Sequence, residues 1–375
     1  MRPPAGVEVR RVAISALVRI SADGAYANLA LPPILARSGL DGRDRALVTD
    51  LVYGTLRMQR ACDHLVDRFV VRDVDPDVRA ALRLGAYQLT FSEVPAHAAV
   101  STTVGAVGGR ARGFVNAILR RVAAAPVEYP DEATRLSYPD WVVERLTADL
   151  GHDTAVEALE TMNRRPEVST RSDGYIQDRA SQWVADLVDA DAGDRIADLC
   201  SAPGGKATAL AHTGARVVAA DLRPARVGLV RDNAERTEVD LDILVTDATR
   251  PGLRPAAFDR VLVDAPCSGL GVLRRRPDAR WRLDAAAVER LAELQRRIVD
   301  AAAELVRPGG LLVYSVCTLT GPETLGVDDH LATHHPEFEP LDPPDAPWIP
   351  HGRGGLLLPQ AADTDGMMVL RLRRR

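Results

Sequence analysis

The chain has 375 residues, 46% hydrophobic and 26% charged, with a formal net charge of −5, the balance of a globular chain of two or three domains. No run of about 18 apolar residues occurs, which excludes a membrane-spanning helix. The four cysteines, Cys62, Cys200, Cys267 and Cys317, are too few for a disulfide framework and lack zinc-ligand spacing, so neither an oxidising compartment nor a bound metal is expected. The opening MRPPAGVEVRR lacks the apolar core of a secretory signal, and a cytoplasmic location is expected.

Within residues 1–125 the apolar spacing is helical. In DVRAALRLGAYQLTF, Val78, Ala81, Leu82, Gly85 and Leu89 recur on one helix face, and DRALVTDLVYGTLR and GFVNAILRRVAAA behave alike. Pro126 and Pro130 break this rhythm, a helical stretch runs from about Trp141 to Asn163, and NRRPEVSTRSDG reads as a linker. From about residue 176 short apolar runs alternate with helical stretches. RIADLC, RVVAA, DILVT, RVLVDA and LLVYSV are the strand candidates. Between the last two, a helix is expected from an N-cap at Asp284 to a stop at Gly309, with an apolar stripe of Val288, Leu291, Leu294, Ile298, Ala301 and Leu305. Such alternation predicts an α/β fold, a parallel sheet covered on both faces.

Charge is unevenly spread. Residues 1–125 carry 17 arginines against 11 acidic residues, and the remainder 30 basic against 41 acidic. A basic front half on an acidic back half suggests a module that meets a polyanion; a solvated surface in an arginine-rich protein is the plainer alternative. Among the 47 basic residues only Lys206 is a lysine.

Ligands of open parallel sheets bind beyond the C-terminal strand ends, so the residues just past each strand candidate matter most. After the first comes CSAPGGK, a turn whose glycines allow backbone N–H groups to approach a ligand closely. Its spacing matches neither the phosphate-binding G-x-x-x-x-G-K loop nor the dinucleotide G-x-G-x-x-G motif. The second, third and fourth strands end in Asp221, Asp247 and Asp264. Each could be a simple helix cap. Together, a glycine turn followed by acids at successive strand ends suits a nucleoside that carries an amino acid, S-adenosylmethionine. Lys206 then belongs to the cofactor cradle, where a compact ammonium fits and a planar guanidinium does not.

Cys267 follows the fourth strand and Cys317 the fifth. A lone cysteine is usually a small buried hydrophobe, but two on the rim that also holds a methyl donor suggest methylation of a carbon that must first be made nucleophilic. Carbon 5 of cytosine is such a carbon: a thiolate that adds at carbon 6 makes it enamine-like. Spacing alone leaves open which thiol attacks.

DLCSAPGGKATAL, VVAADLRPAR, VLVDAPCSGLGVLRRRPDARWR, YSVCTLTGPET and LLPQAADTDGMMVLRL resemble the Sun-type (RsmB/Fmu) rRNA cytosine-5 methyltransferases. ALVTDLVYGTLR, LRLGAYQLTF, VPAHAAV and GFVNAILRR resemble the NusB-like RNA-binding domain that precedes their catalytic domain. The resemblance implies an all-α NusB-like domain over 1–125, a linker and shortened RNA-binding subdomain over 126–175, and a class I methyltransferase domain, Rossmann-like with a doubly wound sheet, over 176–375. It implies that Cys200, Ser201, Ala202, Pro203, Gly204, Gly205 and Lys206 surround the methionine part of S-adenosylmethionine. Asp221 would bind the ribose, Asp247 would lie near the adenine, and Asp264 between cofactor and target base. Cys317 would be the nucleophile, with Cys267 assisting product release. The implied partner is RNA, naked or early-assembly 16S rRNA, without membrane or metal.

Three departures stand out. STRSDGYIQDRAS runs almost directly across a region where family members carry a longer segment. DGMM replaces the commoner aromatic pair, and SVC the commoner Ser-Thr-Cys. LRRRPDARWR, with its arginines around Trp281, reads as an RNA contact, phosphates on guanidinium groups and a base on the indole. The rival readings are a catalytically impaired RNA-binding or ribosome-assembly factor, and a dehydrogenase, for which the dinucleotide fingerprint is missing.

Overall fold

The computed structural model describes residues 5–22 and 24–375; residues 1–4, the start of the stretch read for a secretory signal, lie outside the described residues. By contacts the chain divides into two units, one of Met1–Val143 with Leu273–Arg282, the other of Glu144–Val272 with Leu283–Arg375.

The first unit is helical: α1 Ala5–Ala22, α2 Ala27–Arg37, α3 Gly42–Arg57, α4 Gln59–Asp67, α5 Pro76–Phe91, α6 Ala96–Ala106, α7 Gly109–Ala124 and α8 Glu132–Leu136. Asp41 caps α3 by accepting from the Asp44 N–H at 2.8 Å. The expected face of α5 is buried at Ala81, Leu82 and Gly85, and burial extends to Leu84, Ala86 and Gln88, so α5 is the hub of the bundle. A Cβ on Gly85 would lie 2.5 Å from Leu119 of α7, so glycine permits that close approach.

Of the arginine-rich stretch expected to grip RNA, Arg274 and Arg280 are instead packed into this unit, while Arg276 is exposed. Arg274 and Arg280 are 0% exposed. Arg280 lies 3.8 Å over the Tyr138 ring and donates to the Arg57 and Ser137 carbonyls, both at 3.1 Å. Trp281 Nε1 donates to the Leu56 carbonyl at 3.0 Å, Arg282 to those of Gly24 and Ala25, and Asp278 accepts from the Ala27 N–H at 3.2 Å. The Arg280 and Arg282 guanidinium groups thus satisfy backbone carbonyls, and Trp281 is spent on the same task.

After α9 Asp140–Leu150, α10 His152–Met162 and α11 Arg179–Asp186, the second unit builds a nine-stranded sheet. Its strands are β1 Arg195–Asp198, β2 Arg216–Asp221, β3 Asp242–Val245, β4 Phe258–Asp264, β5 Val306–Val316, β6 Phe338–Pro340, β7 Ile349–His351, β8 Gly354–Leu357 and β9 Met367–Arg374. The order is β3-β2-β1-β4-β5-β9-β8-β7, with β6 paired to β9. The strands from β3 to β5 run parallel, and β9 closes on β5 antiparallel. Strand order reverses between β1 and β4, the switch point where such sheets open a crevice. Helices α12 Gly205–Ala211, α13 Pro224–Arg236 and α14 Ala285–Leu305 form the crossovers; α15 Leu325–His334 and α16 Pro359–Ala362 follow.

Asp284 caps α14 as expected, accepting from the Ala287 N–H at 2.7 Å. The helix ends at Leu305, before Gly309, which lies within β5 at φ +76°, where the β4–β5 register shifts. Its deepest row is Val288, Ala292, Gln295, Val299 and Ala302, one step round from the expected stripe, with a glutamine in its middle. Met367 and Met368, in place of an aromatic pair, are 2% and 0% exposed: a packing substitution inside the core.

Candidate active site

Every chemistry-bearing loop leaves the C-terminal end of a parallel strand. After β1 the chain turns through Cys200–Gly204. Ser201 donates its N–H to the Ala220 carbonyl at 2.9 Å, and Gly204 to that of Ser201 at 2.7 Å. Gly204 has φ +106°, and a Cβ there would lie 3.2 Å from the Val230 Cα; only glycine fits this turn. Asp221, at the end of β2, accepts from the Ala202 N–H at 3.3 Å and the Arg223 N–H at 3.2 Å. Cys200 is largely enclosed, and burial pushes its thiol far up. A Thr170–Ile176 bridge closes the linker into a hairpin beside this loop's helix. Arg171 donates to the Gly205 carbonyl and to Thr208 Oγ1.

The single lysine leaves the first turn of α12, 7% exposed, and its Nζ donates to Asp264 Oδ2 at 2.7 Å. Burial alone would lower its pKa; the charge and hydrogen bond of Asp264, aided by Cys317 and Asp198, outweigh that and hold it above the ordinary value. Asp198 ends β1, 0% exposed. Among the described residues neither of its carboxylate oxygens has a hydrogen-bond partner. Burial, with the charge of Asp264 next, pushes its pKa up to about 8.

The two thiols meet. Cys267 Sγ lies 3.3 Å from Cys317 Sγ. The hydrogen bond to Cys317, then burial, push the Cys267 thiol well above its usual value. Their loops lock together: Gly271 donates its N–H to the Cys317 carbonyl at 3.0 Å and accepts from the Gly366 N–H at 2.8 Å. A Cβ on Gly271 would fall 2.1 Å from the Gly366 oxygen, so no side chain fits there. Beneath the thiols lies a polar cluster of Ser268, Gln295, Tyr314, Thr318, Thr320 and Glu323, all 0–5% exposed. Val316, in place of the commoner threonine, is 0% exposed and pairs with Met368, a setting without need of a hydroxyl.

The sequence-derived residues thus converge unequally. Lys206 and Asp264 pair, Cys267 and Cys317 touch, and Asp221 holds the Ala202–Gly204 turn. Asp247 stands apart: it is exposed, two residues beyond β3, and its Oδ1 accepts from the Thr249 N–H at 2.9 Å and Oγ1 at 2.8 Å. That is the capping geometry of a turn. Asp198, Gln295 and Glu323 were missed. A glutamine in an otherwise apolar helical row was the one legible signal; the two acids look ordinary until their burial is known.

The rim fits S-adenosylmethionine. Asp198 presents a buried carboxyl group at the rim, the Gly204 turn brings backbone close, and each Asp221 oxygen keeps lone-pair capacity for a ribose hydroxyl. A sheet of this order with these strand-end loops defines an S-adenosylmethionine-dependent methyltransferase. The comparisons agree. The family described as 16S rRNA methyltransferase RsmB/F matches residues 185–373, and the NusB family matches residues 7–124. Ribosomal RNA small subunit methyltransferase B of Thermus thermophilus is 37% identical over 97% of both chains. The protein of that name in Pseudomonas syringae is 31% identical over 97% of this chain and 96% of its own. A Mycobacterium tuberculosis protein named as a methyltransferase is 36% identical over 97% and 96%. That alignment spans 445 positions, more than the 375 residues here, so the relative carries residues without counterpart in this chain. The crystal structure of PH0851 superposes with a TM-score of 0.82 at 22% identity, over 100% of both chains, a likeness of fold. The chain belongs to the RsmB/F family of S-adenosylmethionine-dependent rRNA methyltransferases.

Proposed function

We propose that this protein forms 5-methylcytidine in 16S rRNA through a covalent bond between Cys317 and the base, acting in the cytoplasm on naked or early-assembly RNA. The observation that carries the reading is the 3.3 Å separation of the Cys267 and Cys317 sulfurs beside the Lys206–Asp264 pair. In this reading Cys317 adds as thiolate to carbon 6, and the electrons released make carbon 5 nucleophilic. Cys200–Lys206 and Asp221 would hold S-adenosylmethionine, which would supply the methyl group. Loss of the carbon 5 proton to water then re-forms the 5,6 double bond as the sulfur–carbon 6 bond breaks, returning Cys317 as thiolate. Cys267, kept protonated by its neighbour and by burial, stands beside that departing sulfur and assists release. Lys206 and Asp264 hold opposite charges between cofactor and base. Asp247, given its exposed position, would touch only the outer edge of an adenine.

Residues 1–125 would serve as the RNA-binding domain, 126–175 as a linker with a shortened RNA-binding subdomain, and 176–375 as the catalytic domain. Helix α7 supports the first assignment: Arg110, Arg112, Arg120 and Arg121 are exposed on a helix without an acidic residue. The target base must leave its stack to reach the thiols.

Two substitutions test the reading. Cys317→Ser abolishes 5-methylcytidine formation, whereas Cys267→Ser accumulates a protein–RNA adduct that survives SDS. Normal turnover by Cys317→Ser would overturn the nucleophile assignment. Cofactor binding without methyl transfer to naked or ribosomal RNA would favour an assembly factor instead. Bisulfite sequencing of rRNA from a deletion strain identifies the nucleotide.

A further inference from the structure

We propose that Glu323 is a positioning residue: it fixes the spacing of the two thiols by clamping the residues that follow Cys267 and Cys317 onto one buried carboxylate. The proposal rests on the reading of those cysteines as the reacting pair, but concerns a residue which that reading leaves without a task.

Glu323 lies in the 3-10 turn Gly321–Glu323, is 0% exposed, and so touches neither base nor cofactor. Its Oε1 accepts from the Ser268 N–H at 2.8 Å and from Gln295 Nε2 at 3.0 Å. Its Oε2 accepts from Ser268 Oγ at 2.5 Å and Thr320 Oγ1 at 2.8 Å. Four donors converge on one carboxylate. A buried carboxylate persists only when hydrogen-bonded this fully, and such charge-assisted bonds are the strong ones.

Proton counting gives the cluster a direction. The Ser268 hydroxyl has one proton and gives it to Glu323. The Thr318 hydroxyl, 2.8 Å from Ser268 Oγ, must therefore donate to Ser268. A chain Thr318–Ser268–Glu323 thus joins the residue after Cys317 to the residue after Cys267. Gln295 Nε2 also donates to the Pro266 carbonyl at 2.9 Å, so both neighbours of Cys267 are tied to the same group. On the other side, the Tyr314 hydroxyl of β5 lies 2.7 Å from the Glu323 carbonyl and 3.0 Å from Gln295 Oε1. The turn is anchored in turn by the Gly321 N–H, which donates to Asp149 Oδ2 at 2.9 Å. Release of the carboxylate frees the two loops from one another at the point where their sulfurs meet.

The test uses the full-length protein as Glu323→Gln and as Ser268→Ala. Dithiol capture by phenylarsine oxide, which needs two thiols within bonding reach of one arsenic, reads the spacing without RNA. Cys267→Ser and Cys317→Ser set its background against Cys62 and Cys200. For Glu323→Gln, arsenical affinity falls about tenfold or more and the single-turnover rate about a hundredfold, as for a reacting group displaced by roughly an ångström. The KM for RNA and the calorimetric affinity for S-adenosylmethionine stay within about threefold, because no binding contact is touched. Ser268→Ala, which cuts the bridge but leaves the carboxylate its other three donors, the backbone N–H of residue 268, Gln295 Nε2 and Thr320 Oγ1, gives a smaller change of the same pattern. Should Glu323→Gln fail to fold, Ser268→Ala and Thr318→Val decide alone. Unchanged arsenical capture in the folded variants overturns the proposal, as does a loss of turnover with capture intact. If capture falls as expected while Cys267→Ser yields no RNA adduct, the clamp stands and the covalent cytosine reading fails.

Discussion

Asp198 is a carboxyl group buried at the end of β1 with Asp264 and Lys206 as its charged neighbours. Its pKa, raised to about 8 when folded, lies above the ordinary value near 3.9 of an unfolded chain. Between those values the folded state holds a proton that the unfolded state lacks, so this contribution to stability is full below about pH 4 and is lost as pH rises through about 8. Each pH unit inside that window removes up to about 1.4 kcal/mol. The melting temperature of the wild type should therefore fall more steeply from pH 5 to pH 9 than that of Asp198→Asn, whose side chain does not titrate. Parallel slopes in a pH series of thermal melts would show that Asp198 is ionised throughout. At this scale the sequence was legible where a rare residue type sits at a strand end: the lone lysine pairs with Asp264, and the two late cysteines touch. It was silent on Asp198 and Glu323, because their roles come from what surrounds them. A carboxylate followed by a threonine, as in "PET", looks like any surface turn until its oxygens are found to be 0% exposed.

Helices and strands were legible where one face is apolar and the other is not. Alternation of short apolar runs with helical stretches gave β1 to β5 in order, and the Asp284 cap of α14. The stop at Gly309 misplaced the helix end because β5 starts directly at Val306, with no loop whose composition could mark the change. The antiparallel β6 to β9 have no helices between them that would set a rhythm of their own, beyond the four residues of α16. Within LRRRPDARWR, Arg274 and Arg280 misled for a different reason. Arginine density reads as solvent or nucleic acid, yet a guanidinium can be buried when it answers several carbonyls and an aromatic face, as Arg280 does. RNA contact is better sought on α7, whose apolar side, Val115, Ile118, Leu119 and Val122, is buried and whose arginines lie on the other. Replacing Arg110, Arg112 and Arg120 with glutamine should weaken RNA binding across sequences alike. Each lost phosphate contact should flatten the slope of log affinity against log salt by about 1. A fluorescence-anisotropy salt titration measures it; an unchanged slope would move the RNA face elsewhere.

Across the whole chain, the segment Leu273–Arg282 belongs by contact to the helical unit, although its flanks on both sides belong to the sheet-bearing one. The helical unit therefore cannot complete its own hydrogen bonds from residues 1–143. The Arg57 and Ser137 carbonyls are met by Arg280, the Leu56 carbonyl by Trp281, and the Ala27 N–H by Asp278. The same segment starts one residue after Val272, and Cys267 lies in that preceding loop. Unfolding of the sheet would let this segment drift from its partners; unfolding of the helices would strand buried guanidinium groups. Burial pulls Arg280 down to about 10, which leaves it charged at neutral pH and poorly suited to an apolar surface without its carbonyls. A chain threaded this way should melt in one calorimetric transition, whereas two independent domains give two. Arg280→Ala leaves two carbonyls unmet and a cavity beside Tyr138, a loss of about 3 kcal/mol or more. Scanning calorimetry should show the entire peak displaced to lower temperature in that variant. Two resolved peaks in the wild type, or a shift confined to part of the heat in Arg280→Ala, would mean that the threaded segment does not couple the stability of the units.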